Sequence, residues 1–115
     1  MDREILVAGG IDYDEAMNRF AGITKSYEKF LVKFLKDDLH EKLTIAICKK
    51  EYDEAFGYSH TLKGVAGNLC LKDLYKEIVP LVEELRAKRY DDVDKMIVNV
   101  TNEYNRACAA IKTQI

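Results

Sequence analysis

The segment YSHTLKGVAGNLCL, residues 58–71, carries the features that decide how this 115-residue chain folds. On an α-helix, where successive residues are about 100° apart, Leu62, Ala66 and Leu69 lie on one face. His60 lies roughly 180 to 240° away from these three residues. An apolar face opposite a polar one predicts an amphipathic helix that packs against a hydrophobic core.

Four other segments show the same helical periodicity, and no alternation of apolar and polar residues predicts a strand. The five predicted helices run from Asp12 to Gly22, from Thr24 to about Lys50 with a bend near Asp37 and Asp38, from Asp53 to about Leu71, from about Lys72 to Arg89, and from Asp91 to Ile111. Pro80 removes a backbone hydrogen bond inside the fourth helix, so a kink or two short helices are expected there. Because the connections are short, neighbouring helices should be antiparallel. The predicted fold class is all-α: an antiparallel up-and-down four-helix bundle with a short extra N-terminal helix, in a single domain over residues 1–115.

The composition excludes several classes of protein. With 48% hydrophobic and 33% charged residues, the chain is too apolar for a disordered protein and too evenly charged to span a membrane. Its 18 Lys and Arg against 20 Asp and Glu give a net charge of −2, so neither nucleic acid nor membrane is expected as a partner.

The three cysteines are odd in number and widely spaced, which predicts free thiols rather than disulfides or a zinc site. The opening MDREILVAGG lacks the features of a signal peptide, and a cytoplasmic location is expected.

The face of the quoted helix that carries His60 has an unusual composition. Gly64 and Gly67 follow the histidine on the same face, and each glycine inside a helix costs about 1 kcal/mol relative to alanine. Both are explained if a bulky group must approach the imidazole, with Lys63 supplying positive charge for an anion on the ring. Imidazole is a substantially neutral nucleophile at neutral pH. These residues predict a phosphorylated histidine; the alternative is a surface histidine beside glycines that serve close helix packing.

The run HTLKGVAGNL, residues 60–69, resembles the signature of histidine-containing phosphotransfer (HPt) domains, the intermediates of multistep two-component phosphorelays. The similarity extends to residues 10–22, to the long second helix and to the lengths of the later helices. The resemblance therefore covers almost the whole chain, although only the run around the histidine is specific.

The resemblance implies a phosphotransfer protein that depends on its partners for catalysis and is not itself an enzyme. His60 would accept a phosphoryl group from a phosphoaspartate on a response-regulator receiver domain and return it to another receiver. Lys63 would stabilise the phosphoryl group and Gly64 would keep the approach open, while Gly67 fits the pattern less strictly. The implied partners are receiver domains and a hybrid sensor kinase. The receiver would supply Mg²⁺, so no cofactor or metal site is expected in this chain.

Two positions depart from the family's pattern. Cys70 stands where the family often has glycine, and Glu83 is the one weak candidate for a side chain that orients the histidine ring. Arg86 is a candidate second cation for the phosphoryl group, although a solvated charge near a helix end is the interpretation that its position favours. His40 follows two adjacent acidic residues that lack helical ligand spacing, and it is expected to be a solvated surface histidine.

One alternative function from a different class stays open. The chain could be a non-catalytic helical adaptor that binds a receiver or another partner without being phosphorylated. The combination of His60, Lys63 and Gly64 argues against this alternative, because an adaptor has no need for these three residues together.

Overall fold

The computed structural model describes residues 1–115, and all its regular structure is helical. The helices are α1 (Arg3–Ala8), α2 (Tyr13–Arg19), α3 (Thr24–Lys36), α4 (Leu39–Cys48), α5 (Tyr52–Asn68), α6 (Lys72–Arg86) and α7 (Val93–Lys112). The predicted all-helical fold class is confirmed. None of the seven helices combines the length and the apolar character that crossing a membrane requires. All three cysteines are free thiols, and Cys48 is exposed.

The four helices from α4 to α7 enclose most of the core. α5 contacts both α4 and α6, α6 contacts α7, and α7 contacts α4, so the contacts close into a ring. The face of α5 that was predicted to pack lies inside this ring, and Leu62 and Ala66 are fully buried there. This arrangement is compatible with a helical bundle.

The N-terminal region contains two short helices where one was predicted. Asp2 caps α1: its carboxylate accepts a hydrogen bond from the backbone N–H of Ile5. α1 packs against α7, where Gly9 lies so close to Ala110 that a Cβ on the glycine would collide with it. Because only Leu6 of this six-residue helix is buried, the sequence shows no periodic stripe there. The prediction of a single extra helix is therefore wrong.

The long second helix that the sequence predicted is divided into α3 and α4. Asp37 leaves the helical conformation, with a ψ of 161°, and its carboxylate accepts a hydrogen bond from the backbone N–H of Leu39 at 3.2 Å. That bond satisfies one of the free N–H groups at the start of α4. The expected bend near Asp37 and Asp38 is thus a complete break between two helices.

α6 runs without interruption through Pro80, so of the two outcomes expected there, a kink or two short helices, the second is wrong. Pro80 is exposed, whereas Ile78, Leu81 and Val82 around it are fully buried against the neighbouring helices. The carbonyl group that loses its hydrogen bond belongs to Lys76, which is also exposed, so water can satisfy it. Burial of the apolar face on both sides of the proline outweighs the local cost.

A buried tyrosine connects α3 to the end of α5. The Tyr27 hydroxyl donates a hydrogen bond of 2.7 Å to the carbonyl oxygen of Leu69, which accepts no backbone N–H. Tyr27→Phe should lower the free energy of unfolding by about 1 to 2 kcal/mol, because it leaves a buried carbonyl unsatisfied. Urea denaturation measures this loss, and Tyr13→Phe serves as the control because the Tyr13 hydroxyl makes no hydrogen bond within the chain. Equal stability of the two variants would mean that the Tyr27 bond makes no net contribution.

Candidate functional site

The buried face of α5 fixes the direction of its opposite face. Ala55, Ser59 and Leu62 are fully buried, and the Ser59 hydroxyl donates to the carbonyl oxygen of Phe56 within the helix, at 2.9 Å. No polar side chain on this buried face is left without a partner. Because this face of α5 is buried in the core, His60 on the opposite face is directed into solvent.

The ring of His60 is exposed and makes no hydrogen bond within the chain. The hydroxyls of its two neighbours, Ser59 and Thr61, both donate to backbone carbonyl oxygens of α5 rather than to the imidazole. The one aromatic contact of the ring is with Phe56, one turn earlier, whose ring centroid lies 5.9 Å away at an interplanar angle of 42°. Both ring nitrogens are thus available to an incoming group.

The glycines of this helix differ in what surrounds them. A Cβ placed on Gly64 or Gly57 would meet no atom within 4 Å, so the surface beside His60 is open at both positions. A Cβ on Gly67 would lie 3.2 Å from the Tyr75 ring, so this glycine allows α5 and α6 to pack closely. The space that was predicted after His60 on this face is therefore provided by Gly64 and not by Gly67.

Arg86 of α6 lies close to the same aromatic ring as His60. Its guanidinium carbon is 5.1 Å from the centroid of the Phe56 ring, and its Nε is 3.6 Å from a carboxylate oxygen of Glu83. Phe56 thus connects the candidate second cation to the histidine. The role of Phe56 could not be predicted from the sequence, because its contact with Arg86 is a tertiary contact between α5 and α6. Glu83, the weak candidate for orienting the ring, is engaged by Arg86.

Lys63, Gly64 and Gly67 line one side of an open polar hollow of about 460 Å³. Arg19 of α2 forms the opposite side, where its guanidinium donates to the Gly67 carbonyl oxygen at 2.9 Å. The remaining lining residues are Asp12, Glu15, Ala66, Asn68, Cys70, Lys72 and Tyr75. The places of Arg19 and Lys72 could not be predicted from the sequence, because residues from three helices meet here.

An apolar groove of about 480 Å³ lies on the other side of the C-terminal part of α5. Its apolar lining consists of Phe20, Phe30, Phe34, Leu39, Val65 and Leu69. Asn68 lines both this groove and the polar hollow, so the two depressions are adjacent. Phe30 keeps 46% of its surface exposed at the edge of the groove.

His40 is not the solvated histidine that the sequence predicted. Its ring stacks on Tyr104 with centroids 4.2 Å apart, and its Nε2 lies 2.9 Å from the Thr101 hydroxyl. Burial lowers the pKa of His40, which favours the neutral ring. The prediction failed because both contacts come from α7, some 60 residues further along the chain.

The chain matches no family model, no curated protein and no solved structure. Its functional interpretation therefore rests on its own residues and on their placement along α5. Of the predicted site residues, His60, Lys63 and Gly64 lie within about one turn of α5. Arg86 of α6 contacts the Phe56 ring beside them. No group of three or more His, Cys, Asp or Glu side chains is placed to hold a metal ion.

Proposed function

We propose that this chain is an HPt-type phosphorelay intermediate in which His60 is transiently phosphorylated. The observation that carries the proposal is the exposed His60 ring, free of hydrogen bonds, on a helix face opened by Gly64. Lys63, one turn further along α5, provides positive charge on the same face. The antiparallel up-and-down order of a four-helix bundle, the cytoplasmic location and the independence from a cofactor belong to the same proposal.

The proposed reaction transfers a phosphoryl group between an aspartate and the histidine. The lone pair of a His60 ring nitrogen, Nε2 in this proposal, attacks the phosphorus of the acyl phosphate on a receiver domain. The N–P bond forms as the P–O bond breaks, and the aspartate leaves as a carboxylate while the ring keeps its proton on Nδ1. The reverse reaction delivers the phosphoryl group to a second receiver. The receiver contributes Mg²⁺ and the acidic residues, so catalysis depends on the partner.

The direct test is transfer of labelled phosphate from a phosphorylated receiver domain to the purified chain. The label should be stable in base and lost in acid, as expected of a phosphoramidate and not of a phosphoserine. Trying every receiver domain of the source organism identifies the cognate partner by its rate. The absence of transfer from all of them would overturn the proposal.

Phe56 and Arg86 should act as a unit in this reaction. Phe56→Leu and Arg86→Met are each expected to slow transfer about threefold to tenfold, and the double variant should be no slower than Arg86→Met alone, because residues in contact are not additive. Single-turnover transfer from the receiver measures the coupling. Arg89→Met is the control, since Arg89 lies three residues beyond the end of α6, pairs with Glu84 and makes no contact with the Phe56 ring. Additive effects would mean that Phe56 does not position Arg86.

The apolar groove supports a second candidate, the non-catalytic adaptor. Six apolar side chains line it without needing any chemistry at His60. An adaptor would bind a receiver equally well before and after His60→Gln and would never become labelled. Base-stable labelling of the wild-type chain therefore separates the two functions.

A further inference from the structure

The polar hollow beside Gly64 holds two lysines without an acidic partner. The acidic residues of its lining are already engaged: the Asp12 carboxylate accepts the backbone N–H of Glu15, and the Glu15 carboxylate pairs with Arg19 at 3.2 Å. No ion pair involves Lys63 or Lys72. With Arg19, Lys63 and Lys72 against Asp12 and Glu15, the lining carries one excess positive charge in a chain whose net charge is −2.

The hollow lies within the area that a protein docked on His60 must cover. Lys63, Gly64 and Gly67 follow the histidine by three, four and seven residues on one helix, which places the hollow about 5 to 10 Å along the axis of α5. A protein interface of ordinary size buries about 800 Å² on each partner, equivalent to a disc roughly 16 Å in radius. An interface of this size centred on the imidazole also covers the hollow and its two lysines.

Burying an unpaired ammonium group is unfavourable, so the occupant of the closed hollow must carry negative charge. We propose that the hollow receives an aspartate or glutamate side chain from the surface of the phosphoryl-donating receiver, and that Lys72 pairs with it. Gly64 leaves space for this side chain, and Arg19 is held by Glu15 and the Gly67 carbonyl. Receivers that lack an acidic residue at this point are discriminated against, because they leave Lys72 buried and unpaired. This inference rests on the proposed function and names the surface that selects the partner.

The test is the affinity of the Lys72→Glu variant for a receiver. The receiver used is the one that transfers label to His60 fastest, and beryllofluoride activates it as a stable analogue of its phosphoaspartate. Lys72 is the first residue of α6, where glutamate is well tolerated, so the variant should fold. Its Kd should rise about tenfold and its KM in transfer should rise equally, while kcat stays within about twofold of wild type. Raising NaCl from about 50 to 500 mM should weaken the wild type much more than the variant.

Lys95→Glu is the matched control, because it makes the same change in net charge at an exposed, unpaired lysine of α7. It should leave Kd and KM within about twofold of wild type, as expected for a charge outside the interface. Equal weakening by both variants would show an effect of net charge and overturn the inference. An unchanged Kd for Lys72→Glu would overturn this inference and leave the proposed function standing. The absence of label transfer from any receiver would overturn the proposed function and this inference together.

Discussion

His60→Gln is expected to abolish phosphorylation of the chain, with a loss of at least about 1000-fold in the rate of label transfer. Glutamine is similar in length and polarity, but its amide nitrogen offers no free lone pair and cannot attack phosphorus. The side chain at position 60 is exposed and makes no hydrogen bond within the chain, so the fold should be unchanged. Transfer from the phosphorylated receiver, followed on the intact protein, measures the loss.

The second histidine provides the control for this experiment. His40→Gln should still be labelled at the wild-type rate, because the His40 ring is stacked on Tyr104 and its Nε2 faces the Thr101 hydroxyl. Circular dichroism and thermal unfolding establish that each variant is folded before transfer is compared. Labelling of His60→Gln at the wild-type rate, or loss of labelling in a folded His40→Gln, would show that His60 is not the phosphorylated residue.

The predictions from sequence succeeded where one helix alone determines the outcome. The apolar stripe of α5 predicted which residues would be buried, and Leu62, Ala66 and Leu69 are all buried. The same stripe placed His60 and Gly64 on the outside. A long helix repeats its pattern over several turns, so its buried face can be derived without knowing its neighbours.

The predictions failed where contacts between distant segments decide the conformation. α1 is held by its contact with α7, including the close approach of Gly9 to Ala110, and its six residues are too few to show a period. His40 is covered by Tyr104 of α7. None of these contacts leaves a local pattern in the sequence.

The candidate site divides in the same way. Lys63 and Gly64 both lie one turn after His60 on the same helix, so the sequence was sufficient to place them together. The connection from His60 through Phe56 to Arg86 requires α6, and the polar hollow requires Arg19, which is 48 residues from Gly67. The sequence therefore predicts the reacting group, whereas the structure adds the residues around it that would orient the ring and select a partner.

The second large effect is expected at Gly64. Gly64→Gln should slow phosphoryl transfer about 10-fold to 100-fold, because the new side chain occupies the space through which the phosphoryl group and its carrier reach the imidazole. Cα–Cβ bonds tilt towards the N-terminus of a helix, so a side chain at position 64 leans back over the preceding turn, where His60 lies. The fold should be retained or stabilised by about 0.5 kcal/mol, since a Cβ at Gly64 meets no atom within 4 Å and glutamine favours helix over glycine.

Gly57→Gln is the matched control for access. A Cβ at Gly57 also meets open space, and the position lies on the same helix, three residues before the histidine. Its side chain leans away from His60, so the variant should gain the same helix stability without blocking the ring. Comparing single-turnover transfer rates with the free energies of unfolding separates obstruction from any change in the fold. If Gly64→Gln transfers at the wild-type rate, or if Gly57→Gln is equally slow, the absence of a side chain at Gly64 is not what admits the partner to His60.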